Sequence, residues 1–300
     1  MQDIAGRQNK EPYFGLLQAR QWLWKIAERW LVIQMVAVIP VPIIGAIIAL
    51  SVPEHRASVA VGAILLTLLD ALFIDRRYRH AVKVAAKASE AYDTKLFKLP
   101  WNELAAGPKL QPEQITSARR TWDEKRSSDQ LIDWYPTSVD NAPFHVARLI
   151  CQRVNVTYDS ALRMIYSQIL FWGAILVALA LTGIALLSDA SLSEVLLSYL
   201  FPIAPLLIFA IREGFRQRDA AEANQQIRNA AQAVVEDVIE RGCTAEECTH
   251  KSVQLQAAIY TRRALNPLVA PGLYGLFRNK LEKDMNEGAD HWLREGGYIT

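Results

Sequence analysis

The chain has 300 residues, 51% of them hydrophobic, and a formal net charge of +2. The hydrophobic share is ordinary for a globular protein, but it is concentrated in four windows that almost lack charge. A net charge this small excludes wrapping of DNA by the chain as a whole, and the three cysteines, Cys151, Cys243 and Cys248, supply no disulfide framework and fit a reducing compartment.

Residues 1–30 read as a cytoplasmic amphipathic segment. They are not a secretory signal, because polar and aromatic residues fill the segment before any apolar run begins. Met1-Gln2-Asp3 lacks the glycine that myristoylation needs. Trp22, Trp24 and Trp30 suit the inner membrane–water interface, where indole rings settle.

The first window, residues 31–50, contains no charge and one amide, Gln34. At helical rise a run of that length covers about 30 Å, the thickness of the hydrocarbon core. Pro40 and Pro42 lie mid-window, where each frees backbone carbonyls; they are either simple kinks or a hinge or pore constriction. The second window, residues 58–74, holds one acid, Asp70. A carboxylate at that depth is costly unless it meets protein or water. It either pairs with Arg76 or Arg77 or serves the pore. Residues 31–74 thus form transmembrane hairpin one.

Residues 75–168 are expected to be a cytoplasmic helical linker region. Ala81, Ala85, Ala88, Tyr92, Leu96 and Leu99 recur at helical spacing until Pro100 stops the run. Loop residues follow, including Asp133-Trp134-Tyr135-Pro136. Helix resumes near Pro143 and continues into span three. One of its faces carries Arg148, Gln152, Asn155, Asp159 and Arg163, with Asp159 and Arg163 spaced for an ion pair.

Spans three and four occupy residues 169–187 and 195–211, so residues 169–211 form hairpin two. Pro202 and Pro205 interrupt span four as Pro40 and Pro42 interrupt span one. A pore built from these spans has a mostly apolar wall, with Gln34, Thr67, Thr182, Ser198 and Tyr199 as polar candidates, and gates by dewetting. The loop joining spans three and four carries acids and no base. Basic residues cluster instead before span one, after span two and after span four, so both termini are expected in the cytoplasm. Residues 212–300 form a C-terminal helical region packing with 75–168. There Ala220, Ala223, Ile227, Ala230, Val234 and Val238 form a stripe that ends near Gly242. A helix ending at Asn266-Pro267 and a second after Pro271-Gly272 follow, and the tail from Gly288 is polar and uninformative. The expected fold class is an all-α membrane protein: four transmembrane helices in two hairpins, with long helices continuing into a cytoplasmic helical domain.

No phosphate loop, nucleophile elbow or metalloprotease motif is present, so no catalytic residue is assigned. Cys243-x4-Cys248-x-His250 departs from zinc spacing and lacks a fourth ligand, so neither metal nor cofactor is expected. Trp134, Tyr135, Arg148, Arg153, Asn155, Tyr158 and Arg163, with Tyr260, Arg262, Arg263 and Arg278, are the residue types that hold nucleotides by stacking and guanidinium–phosphate contacts. The same types also build hydrogen-bonded cores, and sequence leaves both readings open.

Asp133-Trp134-Tyr135-Pro136, the run 147–155 (ARLICQRVN), Tyr158-Asp159, Leu162-Arg163, Ile259-Tyr260-x-Arg262-Arg263, Asn266-Pro267 and Arg278 resemble the SMODS-associating four-transmembrane effectors. That resemblance implies a pore-forming effector of bacterial anti-phage signalling. It implies a cyclic di- or oligonucleotide messenger, made by a partner nucleotidyltransferase, and no DNA ligand. The matched residues, as nucleotide-binding candidates, are Trp134, Tyr135, Arg148, Arg153, Asn155, Asp159, Arg163, Tyr260 and Arg262. Pore or hinge candidates are Gln34, Pro40, Pro42, Asp70, Ser198, Pro202 and Pro205. The expected product is a non-enzymatic homo-oligomer in the lipid of the bacterial inner membrane, killing the infected cell by permeabilisation. The alternative is a tethered binding or scaffold protein without a pore.

Overall fold

The computed structural model describes residues 3–156, 159–188 and 191–300, with the side chains of residues 159, 161 and 274–282 outside the description. A short α1 (Ala5–Gln8) precedes α2 (Tyr13–Val38) and α3 (Pro40–Ser51). α4 (Arg56–Leu69) runs through a π turn at Asp70–Ile74 into α5 (Asp75–Leu96). α6 (Glu103–Ala106) and α7 (Pro112–Lys125) lie between the hairpins, followed by α8 (Phe144–Val156) and α9 (Asp159–Leu187). A short α10 (Leu192–Glu194) leads through a second π turn, Val195–Leu200, into α11 (Phe201–Arg241). α12 (Ala245–Leu265) and α13 (Leu273–Glu295) complete the chain.

Every regular element among the described residues is helical. Four stretches are long and apolar enough to cross a membrane: Tyr13–Ser51, Pro53–Leu96, Leu162–Leu187 and Leu192–Arg241. The protein is therefore an all-α, multi-pass membrane protein. Its spans do not stop at the bilayer surface; three of the four stretches extend well beyond it as the helices of an extramembrane body.

Local sequence explains the interruptions. Pro40 opens α3 and cannot donate to the preceding turn, so the helix breaks at Ile39. α3 packs against α11 and the second π turn, and Pro42, Pro202 and Pro205 are all buried at this level. Arg56 reaches Glu194 at 2.9 Å, tying the loop of one hairpin to that of the other. Span three packs on span four and otherwise shows Trp172, Leu176 and Leu179 outward.

In the body, α2 lies along α5 and α7, while α12 packs on α5 and α8. One core joins Leu17, Tyr92, Phe97, Tyr135, Ile150, Val235 and Leu293. Segments from before, between and after the hairpins thus share it, and each such aliphatic or Phe side chain contributes about 1.5–3 kcal/mol.

The α5 stripe is buried throughout, from Ala81 to Leu99. The α11 stripe is not the expected one. Its buried face is Ala220, Ala221, Asn224, Ala231, Val235 and Val238, whereas Ala230 is exposed and Ala223 and Val234 are half-buried. Asn224 is tolerated on that face because Asn266 donates to it at 2.9 Å.

Two further expectations are corrected. Trp22 and Trp24 do not sit at the lipid interface. α2 begins at Tyr13, so its first turns lie in the body, where Trp22 is buried and the Trp24 indole donates to Ser89 at 3.0 Å. The tail after Gly288 is not featureless, because α13 continues to Glu295 and buries Ala289, Trp292 and Leu293. Cys243 and Cys248 lie close together, with Cα atoms 5.9 Å apart, and Cys151 is buried.

Candidate functional site

Three of the sequence candidates converge on one buried polar cluster. Asp93 of α5, fully buried, accepts from the Tyr135 hydroxyl at 2.7 Å and pairs with Arg263 of α12. Asn155 donates to the same hydroxyl at 2.8 Å. Trp134 lies under the Arg20 guanidinium, 4.4 Å from carbon to ring centre, and Arg20 also donates to Ser89. Tyr92 stacks parallel to Tyr135 at 6.3 Å. Burial, reinforced by the Asp93 charge, pushes the Tyr135 hydroxyl far above its ordinary value. Glu90, one turn earlier, is pushed up to about 7 by burial, although Gln256 donates to it at 2.7 Å.

The other candidates lie elsewhere. Arg148 donates to the Phe97 carbonyl and to Thr249, joining α8 to α12. Arg153 stands over the Trp292 ring at 5.1 Å. Arg163 donates to Gln217 and to the Pro267 carbonyl. Tyr260 is buried against Ala86 and Ala106. The Asp159 side chain, and hence its expected pair with Arg163, falls outside the described residues, as do Tyr158 and the Arg278 side chain.

Arg262 of the set lines a cleft of about 540 Å³ where α5, α11 and the end of α12 meet. Arg76, Arg79, His80 and Lys83 line it from α5, with Arg216 and Asp219 from α11 and Asn266 and Pro267 from the turn after α12. Its α5 residues follow helical spacing, so they share one face. In sequence those positions read as charge flanking a span, and their helical spacing is the signal that they share a face.

One wall of the cleft is fixed by charge. Arg216 grips Asp75 with both nitrogens, at 2.7 and 3.1 Å, and Arg79 reaches the same carboxylate at 3.0 Å. The turn is held from behind: the Leu268 amide donates to the Tyr78 hydroxyl, and Gln217 donates to the Leu268 carbonyl at 2.8 Å. Among the described residues, no carboxylate pairs with Arg76, Lys83 or Arg262. The cleft therefore presents clustered cations, Arg76, Arg79 and Lys83 exposed and Arg216 and Arg262 half-buried, with one acid, Asp219, beside them, and such a cluster suits an anion carrying several phosphate oxygens.

One turn nearer the spans is a second polar knot. Asp70, buried at the first π turn, accepts from Gln34 at 2.6 Å and from Arg212 at 2.7 Å. Its partner is Arg212 rather than Arg76 or Arg77, because the π turn aims Asp70 at α11 while Arg76 and Arg77 are exposed. This knot ties spans one, two and four together. Ser198 is buried at the other π turn, and its hydroxyl has no hydrogen-bond partner among the described residues.

A family model described as the SMODS-associating 4TM effector domain matches residues 2–292. The chain belongs to this effector family. A similar relative of the effector chain is a probable CBASS effector molecule from Bacillus cereus (strain VD146), 23% identical over 287 residues, covering 93% of this chain and 94% of the relative. No solved structure matches the chain.

Proposed function

We propose that this effector senses a cyclic oligonucleotide with its extramembrane body and permeabilises the membrane that holds it, as a non-enzymatic arm of anti-phage defence. The observation that carries the reading is the position of the basic cleft: its walls are the direct continuations of spans two and four. An anion bound there bears on both hairpins at once, and a ligand that prefers one arrangement of the hairpins shifts the population toward it. Family membership and the probable CBASS effector that the chain resembles support the context, in which a nucleotidyltransferase supplies the messenger.

The basic flanks support a reading with both termini and the body in the cytoplasm and the spans in the bacterial inner membrane. A lone four-helix unit encloses little space, so the permeable form is a homo-oligomer. Span three, exposed on most of its surface, is free to meet lipid or another copy. The breaks at Pro40 and at the Val195–Leu200 π turn supply hinges at one helix interface.

The test is dye release from liposomes holding the purified full-length chain, on addition of cyclic di- and trinucleotides. Release with one of them supports the reading. Measurable binding without release supports a tethered scaffold instead.

A further inference from the structure

The cleft begins close to where the apolar windows of spans two and four end. Lys83 stands about 14 Å beyond the end of span two, and Arg216 about 8 Å beyond the end of span four, at helical rise. The headgroup layer is about 6 Å deep on each side. Soluble and lipid phosphates can both reach such a site.

Arg216 is the residue with two possible partners. It lines the cleft with a side chain 27% exposed, yet its fork is spent on Asp75, which is 3% exposed. Phosphate and carboxylate accept the same two-pronged contact from guanidinium. Asp75 keeps Arg79 at 3.0 Å when Arg216 turns away, so the exchange leaves no bare buried carboxylate. Arg212, which holds Asp70 in the membrane, is one helical turn before Arg216 on the same face of α11.

We propose that Arg76, Lys83 and Arg262 grip phosphodiester groups in this cleft, and that Arg216 passes from Asp75 to the ligand, loosening the junction of α5 with α11. This deepens the reading of the chain as a messenger-gated effector and rests on it. The gripping residues make the site; Arg216 is the positioning residue through which binding reaches Arg212 and the spans.

The test uses full-length protein in vesicles of phosphatidylcholine, with and without phosphatidylglycerol, titrated with cyclic di-AMP and cyclic tri-AMP. Binding and dye release are read separately. The double variant Lys83→Gln/Arg262→Gln removes two charge-assisted contacts and is expected to bind at least about tenfold more weakly, with an unchanged circular dichroism spectrum. Asp75→Asn is expected to bind as well as wild type or better and to release dye at lower nucleotide concentration. Arg216→Lys, which keeps the charge and loses the fork, is expected to bind within a few-fold of wild type and release less. Wild-type binding by the double variant overturns the site. Wild-type dose–response in both Asp75→Asn and Arg216→Lys overturns the exchange. Release triggered by phosphatidylglycerol alone, and lost in the double variant, assigns the cleft to lipid phosphate and overturns the nucleotide source. Nucleotide binding without release in any protein overturns the pore reading while the binding arm still decides the site.

Discussion

Replacing Asp70 with alanine attacks the knot that joins three spans. In the structure its carboxylate, with a side chain 6% exposed, receives Arg212 and Gln34. Removing one partner of a buried ion pair costs about 3–5 kcal/mol. Arg212 is 24% exposed and can turn toward water, so about 2 kcal/mol is the better figure for that half. Gln34 is 1% exposed, and its amide loses an acceptor, which adds about 1–3 kcal/mol. A loss of about 3 kcal/mol from the observed arrangement moves its balance with a looser one by about two orders of magnitude. Asp70→Ala is therefore expected to leak dye from liposomes without any nucleotide, and Asp70→Asn, which keeps acceptor oxygen, to leak less. A folded Asp70→Ala protein that stays as tight as wild type and responds to the same nucleotide concentration would refute the reasoning.

Two other outcomes follow from the body. Asp93→Ala strips the partner of buried Arg263 and the acceptor of Tyr135, and is expected to destabilise the detergent-solubilised protein by about 3–5 kcal/mol in thermal unfolding. A loss below about 1 kcal/mol contradicts that assignment. Glu90 has its folded value raised to about 7 by burial, so the folded state holds its proton where the unfolded chain has lost it. The stability it contributes is complete below its ordinary value and is lost as pH rises through about 7. Glu90→Gln is expected to match wild type near pH 5 and to exceed it by up to about 3 kcal/mol at pH 8; parallel melting curves across that range contradict it.

The spans were legible because four uncharged windows of membrane length leave few alternatives, and the continuation of span two into α5 was legible from the unbroken stripe ending at Pro100. The partners of Asp70 and Asp75 were not, since Arg212 and Arg216 lie more than a hundred residues away and only the packing of α11 on hairpin one brings them together. The α11 face was misread because small residues occur on two neighbouring faces there, and Asn224 hid the buried one by being polar. Aromatic and arginine residues in α8 and the preceding loop looked like a ligand set. Trp134, Tyr135 and Asn155 do converge, but on Asp93, Arg263 and Arg20 of the chain itself. The open cations were Arg262 of α12 and those of α5, the latter already explained by orientation by charge. One set of basic residues serves both readings.

The most direct measurement is current across a planar bilayer holding the full-length protein, with cyclic nucleotide added on the side of the body. The account predicts conductance that appears with nucleotide and needs at least about tenfold more of it in Lys83→Gln/Arg262→Gln. Saturable binding of the nucleotide with a silent bilayer would contradict it.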